Sequence, residues 1–483
     1  MKSGLTVRTF LMLLALAAAG ILVHGYHLGI EDQAIYLPAI KKNLDPNLFP
    51  HDAYWFEAQT KWTLFDECVA LSVKISGLPV KWAVFLWHLL ALFLVLYGCW
   101  QLARRCFSET AAQWAAVTAV AALLTLPVAG TRLLIVDQYL HPRALATACL
   151  LFALPAVLDG RWWRAALWML VSAAVHPQMT VFSLFHLAFQ AWKPPRVRGV
   201  EGASAALGFP LWQTDPAWQE VLQTREHYFV LRWPWYSWVG IVAPIGLLTW
   251  FSYLWRRDNA PVLRHVSARV ALACAVGTLG SLIINVVPAL ARLAPAQPMR
   301  QLHFVYVLLF LFAGGLLGKY FLGTRAWRWA LLFVPLCGVM FYAQTRVFPG
   351  SAHLEWPWAK PQNEWLRAFE WVRRNTPQDA LFALDPRQMS RPGADFHGFR
   401  AFAERSILLD YFKDYGKAAI FPELATSARE RLRDLETWQK FRADDYRRLK
   451  TKYGVNWVVV ESPAGHDLPC PYANERVKVC RVE

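Results

Sequence analysis

Long uncharged apolar blocks dominate the first 345 residues of the chain. Each block runs for about 15–25 residues, the length of a helix that crosses the hydrocarbon core of a bilayer. Ten such blocks lie at roughly 10–23, 82–102, 112–130, 142–158, 163–176, 178–192, 236–255, 268–290, 301–318 and 327–345. The first follows Lys2 and Arg8, and its small residues lie inside the apolar run. This predicts an uncleaved first helix with a cytoplasmic N-terminus.

The positive-inside rule assigns a side to the loops between the blocks. The basic loops predicted to be cytoplasmic contain Arg104 and Arg105, residues 161–164, Arg256 and Arg257, and Lys319 with Arg325 and Arg328. The basic segment 193–198 also looks cytoplasmic, yet the block at 236 must begin outside. Either 200–212 makes a short or re-entrant crossing, or 163–192 makes one bent crossing at His176. Both solutions place the C-terminus outside, and we favour eleven crossings.

Residues 350–483 have a different pattern. Short β-type runs at 380–384, 406–409, 457–460 and 477–480 alternate with amphipathic helical stretches at 365–374 and 428–452. The expected architecture is therefore a mainly α, multispanning membrane domain, residues 1–349, with an outside loop at 25–81. A small periplasmic α/β domain, residues 350–483, follows it and is long enough for its own core.

The net charge adds little to this predicted architecture. A net charge of +16 on 483 residues would suggest nucleic acid in a soluble protein. Residues 1–345 hold 27 Lys and Arg against 15 Asp and Glu, so most of the excess lies between apolar blocks. It is an orientation signal, and no nucleic-acid partner is expected.

The chain has no P-loop, G-x-S-x-G or G-x-G-x-x-G motif, which argues against ATP hydrolysis, serine hydrolysis and dinucleotide chemistry. Cys470 and Cys480 could pair if the tail lies in an oxidising compartment.

The first outside loop carries two adjacent acids, Glu31 and Asp32, within ten residues of the first helix. They open an amphipathic stretch whose apolar members include Ile35, Ala39 and Ile40. One interpretation is a helix cap, because acids suit a first turn. The other is a general base or a metal ligand at the membrane surface.

The stretch Asp32-Gln33-Ala34-Ile35-Tyr36 resembles the D-E-x-x-Y signature of the GT-C glycosyltransferases, which take a sugar from a polyprenyl-phosphate carrier. Asp32 and Tyr36 match, whereas Gln33 replaces the second acid and Glu31 lies one position earlier. The layout of many helices, a long first loop and an outside α/β domain is also similar to that family. The resemblance implies that Asp32, supported by Glu31 and Asp137, is catalytic.

Asp137 lies in the next outside loop, where the resemblance implies a second acid that holds a metal or the acceptor. The alternative is an acid paired with Arg132 or Arg143. A set of Asp32, Asp137 and His51 would suit Mg²⁺ or Mn²⁺, although His51 could simply belong to a turn.

Arg300 is the strongest candidate for binding the carrier phosphate, because Arg binds phosphate oxygens bidentately. A snorkelling helix-end Arg is the alternative. His303 and Arg143 are further candidates. We therefore expect a glycosyltransferase of the bacterial inner membrane that needs no nucleotide and binds membrane lipid and a lipid-linked sugar. The alternatives are a transporter or flippase, and a non-catalytic subunit of a membrane complex.

Overall fold

The computed structural model describes residues 5–192, 215–258, 260–464 and 468–483. Within them, six helices are long and apolar enough to cross a membrane. They are Val7–His24, Val80–Cys106, Trp235–Arg256, Pro261–Val286, Pro298–Leu322 and Ala326–Val347, and two shorter apolar helices are Pro142–Leu158 and Trp162–Val175. The protein is thus a mainly helical, multi-pass membrane protein with a small C-terminal sheet region, and the count of eleven crossings stays a prediction.

The helices of the first part are α1 Val7–His24, α2 Gln33–Leu44, α3 Tyr54–Thr60, α4 Phe65–Ser76, α5 Val80–Cys106, α6 Thr110–Ala122, α7 Pro142–Leu158, α8 Trp162–Val175, α9 Pro177–Ala191, α10 Pro216–Gln223, α11 Trp235–Arg257, α12 Pro261–Val286, α13 Leu302–Leu317 and α14 Ala326–Val347. Those of the tail are α15 Glu364–Asn375, α16 Phe399–Ala403, α17 Asp414–Ala418, α18 Ala425–Leu435 and α19 Ala443–Tyr453. The apolar blocks thus correspond to helices, with one partial exception at 112–130.

The helices α8 and α9 form a hairpin that reverses at His176. The hydroxyls of Ser172 and Thr180, on either side of the turn, are 2.7 Å apart. This geometry is a reversal and not the single bent crossing, and Pro177 explains the break because it lacks a backbone N–H. The other predicted crossing, at 200–212, lies outside the described residues.

The block at 112–130 is helical only as far as Ala122. The chain then forms a small antiparallel hairpin of β1 Pro127–Val128 and β2 Leu133–Leu134. Pro127 cannot continue the helical hydrogen-bond pattern, and the carbonyls of Leu124 and Leu126 accept instead from the far arm of the hairpin. This hairpin leads directly into the loop that carries Asp137.

A small-residue face joins α13 to α6. Gly314 and Gly318 are four residues apart, as in the G-x-x-x-G pattern of packed membrane helices. A Cβ added at Gly314 would lie 2.6 Å from the carbonyl oxygen of Ala115, and one added at Gly318 would lie 2.6 Å from the Cα of Ala112. Neither backbone can give way, so this contact fixes α13 and the segment before it.

Replacing Gly314 by Leu should therefore lower the stability of the bundle by about 1–3 kcal/mol or more, because overpacking forces the helices apart. The matched control is Gly280→Leu, since a Cβ at Gly280 meets nothing within 4 Å. The stability of the two variants is compared by the thermal unfolding midpoint of each purified protein in detergent. Equal midpoints for the two variants would contradict the close packing.

The tail contains a five-stranded mixed sheet. Its strands are β3 Leu381–Leu384, β4 Ser406–Ile407, β5 Trp457–Glu461, β6 Tyr472–Ala473 and β7 Val477–Arg481, in the order β4-β3-β5-β7-β6. The pairs β3–β4 and β3–β5 are parallel, whereas β5–β7 and β7–β6 are antiparallel. A disulfide joins Cys470 to Cys480 beside the last strand.

One expectation for the tail needs correction, and its core extends further than the tail itself. The stretch 428–452 is two helices, α18 and α19, because Trp438 turns inward between them and packs against Tyr446. The tail core also recruits residues from outside 350–483, including Trp55 of the first loop and Trp218 of α10. The indole N–H of Trp218 donates to the carbonyl of Ala419 at 3.1 Å. The first loop, α10 and the tail therefore share one core.

Candidate functional site

Asp32 lies at the start of α2 but does not cap it. Its side chain forms no hydrogen bond to the first turn of the helix. Instead one carboxylate oxygen lies 3.3 Å from Nε2 of His141, and the other accepts from Nζ of Lys413 at 3.1 Å. About a third of the Asp32 side chain, 34%, is exposed. Asp32 therefore occupies the N-cap position of α2 without the side-chain hydrogen bond of a cap.

The protonation of His141 follows from its position before α7. Its Nδ1 accepts a hydrogen bond from the backbone N–H of Arg143 at 3.0 Å. Burial and the nearby Arg143 lower the pKa of His141 despite the attraction of Asp32. In the neutral ring the proton is consequently on Nε2, which points to Asp32. The rings of Tyr36 and His141 pack nearly perpendicular to each other with centroids 5.3 Å apart, so Tyr36 supports this histidine.

Lys413, just before α17, connects the tail to the acidic pair. Its Nζ donates to Glu31 at 2.8 Å and to Asp32 at 3.1 Å, and its side chain is only 8% exposed. Burial would raise the pKa of Asp32, but Lys413, together with His141, holds that pKa well below its usual range. Asp32 is therefore ionised at every physiological pH.

Gln33, which replaces the second acid of the signature that the sequence resembles, has a structural role. Its side-chain oxygen accepts from the backbone N–H of Gly29, and its amide nitrogen donates to the carbonyl of Leu140 at 3.4 Å. The side chain is 1% exposed. Gln33 thus ties the start of α2 to the loop that ends at His141, and Glu31 remains the nearest acid to Asp32.

Asp137 is paired, as one of the two sequence-based alternatives expects. Its carboxylate accepts from Nη2 of Arg143 at 2.8 Å, and both residues are buried. The other guanidinium nitrogen, Nη1 of Arg143, has no hydrogen-bond partner among the described residues. His303 hydrogen-bonds the carbonyl of Ile135 at 2.9 Å and lies within electrostatic range of the Asp137–Arg143 pair. These residues form the wall of the site next to Asp32.

Arg300 lies between two cavities. Its Nη1 donates to the side chain of Gln178 at 2.9 Å, and it interacts electrostatically with Asp32. One, a small cavity, is lined by Arg300 with Thr131, His227, Tyr228, Trp233 and Gln297. The other, also small, is lined by Arg300 with Leu150, Phe182, Ser183, His303 and Phe304. A polar space and a more apolar space thus meet at one guanidinium.

The three residues proposed as metal ligands are not brought together. Asp32 contacts His141 and Lys413, whereas His51 hydrogen-bonds the carbonyl of Asp379 in the tail at 2.9 Å. Asp137 is bound to Arg143. In the described part of the chain no group of three or more His, Cys, Asp or Glu side chains could hold a metal ion. His51 is a contact between loop and tail, which corrects its assignment.

The sequence pattern did not predict that side chains of the tail lie at the candidate site beside Asp32. Lys413 and Lys417 come from a charged stretch in which nothing distinguishes them from surface lysines. Both are at most 8% exposed and lie close to Asp32. Their spacing of four residues is the only signal, because it places two cations on one side of a helical turn.

The comparison with known families matches this same segment. Residues 363–418 fit a family model described as "Domain of unknown function (DUF6798)". The match begins just before α15, ends with α17 and includes both lysines. No curated protein matches the chain.

Proposed function

We propose that the protein is an integral membrane glycosyltransferase that transfers a sugar from a polyprenyl-phosphate carrier to an acceptor hydroxyl. The carrying observation is the environment of Asp32. The Asp32 carboxylate is ionised and partly exposed, and it does not hydrogen-bond the first turn of its own helix. It interacts electrostatically with Arg300. A base beside a cation suits a reaction in which a proton leaves the nucleophile while negative charge develops on the leaving group.

In the proposed reaction the acceptor oxygen attacks the anomeric carbon of the sugar. Asp32 accepts the proton of the acceptor hydroxyl. The bond between the anomeric carbon and the phosphate oxygen breaks, and its electron pair stays on the phosphate, which leaves as a monoester. Arg300 stabilises this charge, and the neutral Nε2–H of His141 orients Asp32. Because no metal-binding group is present in the described residues, Mg²⁺ or Mn²⁺ is assigned no step.

The proposed orientation places the tail in the periplasm of a bacterial inner membrane and the N-terminus in the cytoplasm. The Cys470–Cys480 disulfide suits an oxidising compartment. At the opposite end of the bundle, the Arg105–Asp159 and Lys319–Asp258 pairs belong to basic connections, as the positive-inside rule requires of cytoplasmic loops.

Cys68 tests this orientation. It lies in α4 of the first loop and is exposed, whereas the free cysteines Cys99, Cys106, Cys149 and Cys274 are buried. A membrane-impermeant maleimide should label the protein at Cys68 in intact spheroplasts. The Cys68→Ser substitution should abolish this labelling. Labelling that requires permeabilised membranes would reverse the orientation.

The function itself is tested with purified protein in liposomes that contain a polyprenyl-phosphate sugar and membrane extract as the acceptor source. We expect the sugar to leave the carrier and free polyprenyl phosphate to accumulate. Passage of the intact donor across the bilayer would instead favour a flippase. A stoichiometric complex that turns over no lipid-linked sugar would favour a non-catalytic subunit. Either of the last two outcomes contradicts the proposal.

A further inference from the structure

A cluster of two histidines and one glutamate lies where the first outside loop meets the tail. The loop residues 25–31 run between two segments of the tail, 353–355 on one side and 396–398 on the other. Backbone hydrogen bonds of 2.8 to 3.1 Å join the loop to each of the two segments. The side chains that meet between the three segments are those of His27, Glu355 and His397.

The two acceptors that His397 faces require both of its ring nitrogens to donate. Its Nδ1 donates to the carbonyl of Ala394 at 3.0 Å, and a carbonyl oxygen can only accept. Its Nε2 lies 3.0 and 3.2 Å from the two carboxylate oxygens of Glu355. The backbone N–H of Leu28 donates to the same carboxylate at 3.0 Å, which suits an ionised acid. The fully buried His397 ring is therefore a cation.

The electrostatic surroundings agree with this hydrogen-bond pattern. Burial alone would lower the pKa of His397, but the charge of Glu355 and the hydrogen bond between them raise that pKa above its ordinary value. Burial would raise the pKa of Glu355, but His397 and His27 lower it to about 2. The pair thus carries opposite charges in the docked protein, and each partner compensates for the burial of the other.

The other ionisable groups of the cluster leave His397 as the direct counter-charge of Glu355. Nδ1 of His27 is 3.8 Å from Glu355, and neither ring nitrogen of His27 has a hydrogen-bond partner among the described residues. Asp395 attracts His397, and its carboxylate accepts from the backbone N–H of Gly350 at 2.8 Å. The remaining titratable side chains that interact with the cluster are Tyr26 and His353.

Loss of a single proton changes this arrangement. A neutral His397 keeps the Nδ1 proton that binds the carbonyl of Ala394, so its Nε2 becomes an acceptor. Two acceptors then face each other, and the largely buried Glu355 has lost its counter-charge. Because the pKa of His397 is raised in the folded protein, this stabilisation is complete below the ordinary histidine value of about 6.5 and is lost as the pH rises through the raised value.

We propose that His397 and Glu355 form a proton-dependent clasp, which closes the two tail segments around residues 25–31 and opens at alkaline pH. The clasp comprises these two side chains and His27. His27 precedes Glu31 by four residues, so the clasp fixes the stretch of chain that leads to the acidic pair. Docking of the tail thereby responds to the pH of the compartment that contains it. This inference does not depend on which reaction the protein catalyses.

The test is hydrogen exchange of the purified full-length protein in detergent, expressed as protection relative to the intrinsic exchange rate at each pH. The amides of Glu31 and Gly398 report on the clasp, because both donate between loop and tail. We expect their protection to fall by about 10-fold or more from roughly pH 6 to roughly pH 9, since a charge-assisted hydrogen bond is lost. Unchanged protection of these two amides would overturn the proposal.

The strands β5 and β7 provide an internal reference in the same experiment. They pair with each other inside the tail sheet and do not contact the loop through their ladder. Their protection should stay within about 2-fold over the same pH range, because the clasp opens locally. An equal loss in these strands would show general unfolding of the tail and would also contradict the clasp.

The variant His397→Gln removes the titration and keeps an N–H donor toward Glu355. The protection of the two reporter amides should then differ by less than about 2-fold between the two pH values. The matched control is His51→Gln, which removes an exposed histidine that also joins the first loop to the tail, through the carbonyl of Asp379 at 2.9 Å. This control should keep the wild-type pH dependence. A folded His397→Gln protein that keeps it as well contradicts the proposal.

A second variant decides the question if His397→Gln does not fold. Glu355→Gln removes the charge that raises the pKa of His397. The loss of protection at the reporter amides should therefore shift to lower pH, because a buried histidine without a counter-charge releases its proton more readily. A transition that stays at the wild-type pH, or moves to higher pH, would show that the pair does not control the clasp.

Discussion

Sugar transfer should fall by about 100- to 10,000-fold when Asp32 is replaced by Asn, because the acceptor hydroxyl loses the group that takes its proton. The asparagine keeps the shape of the side chain and can still accept from Lys413. Binding of the donor phosphate should therefore persist or strengthen, since one negative charge leaves the surroundings of Lys413 and Arg300. The loss should appear in the rate at saturating donor, measured as release of polyprenyl phosphate.

The matched control for this variant is Asp45→Asn. Asp45 lies in the same predicted outside loop, is half-buried and accepts a hydrogen bond from Gln378 of the tail at 2.8 Å. Its replacement should leave transfer within about 2-fold of the wild type, since surface substitutions change stability by only a few tenths of a kcal/mol. Full activity of Asp32→Asn at a normal expression level would remove Asp32 from the reaction.

Replacing Arg400 by Leu should lower the free energy of unfolding by about 3–5 kcal/mol, because two carboxylates would be left buried without a counter-charge. Nε of Arg400 donates to Asp52 at 2.5 Å, and its Nη atoms donate to Asp414 at 2.8 and 2.7 Å. All three side chains are at most 4% exposed. This ion triad joins the first loop to the start of α17.

The comparison for Arg400 is Arg374→Leu. Arg374 pairs with Glu370 one helical turn away, and 66% of its side chain is exposed, so the cost should stay below about 1 kcal/mol. Thermal unfolding and the rate of proteolysis of the tail measure both variants. A similar loss in the two would show that the buried triad contributes no more than a surface pair.

Much of the architecture could be predicted because its causes are local. An apolar run of sufficient length must be helical in a membrane, since backbone polar groups there need partners within the segment. The strands Leu381–Leu384 and Trp457–Glu461 were visible for a similar reason, as short apolar runs between polar turns. The failure at 428–452 has the opposite cause. Trp438 lies between the two helices and packs into a core built from distant segments of the chain. The local spacing of apolar residues cannot predict such a long-range contact.

The candidate site also contains residues that the sequence could predict and residues that it could not. Asp32 and Arg300 stood out because charge is unusual beside apolar helices on the outer side, and the structure places them in electrostatic range of each other. The partner of Asp137 could be narrowed to two arginines because both are near in sequence. Lys413 and Lys417 could not be found, because their role depends on a fold that brings the tail against the first loop.

The pairing of Lys413 with Asp32 also has a consequence for biosynthesis. The two residues are 381 positions apart, so they emerge from the ribosome at very different times. At about 5–20 residues per second, roughly 20–75 s separate them. During that interval Glu31 and Asp32 have already been made, whereas Lys413 has not. An incomplete or truncated chain therefore lacks the cation that pairs with Glu31 and Asp32, and this contact between the first loop and the tail forms only after Lys413 has been made.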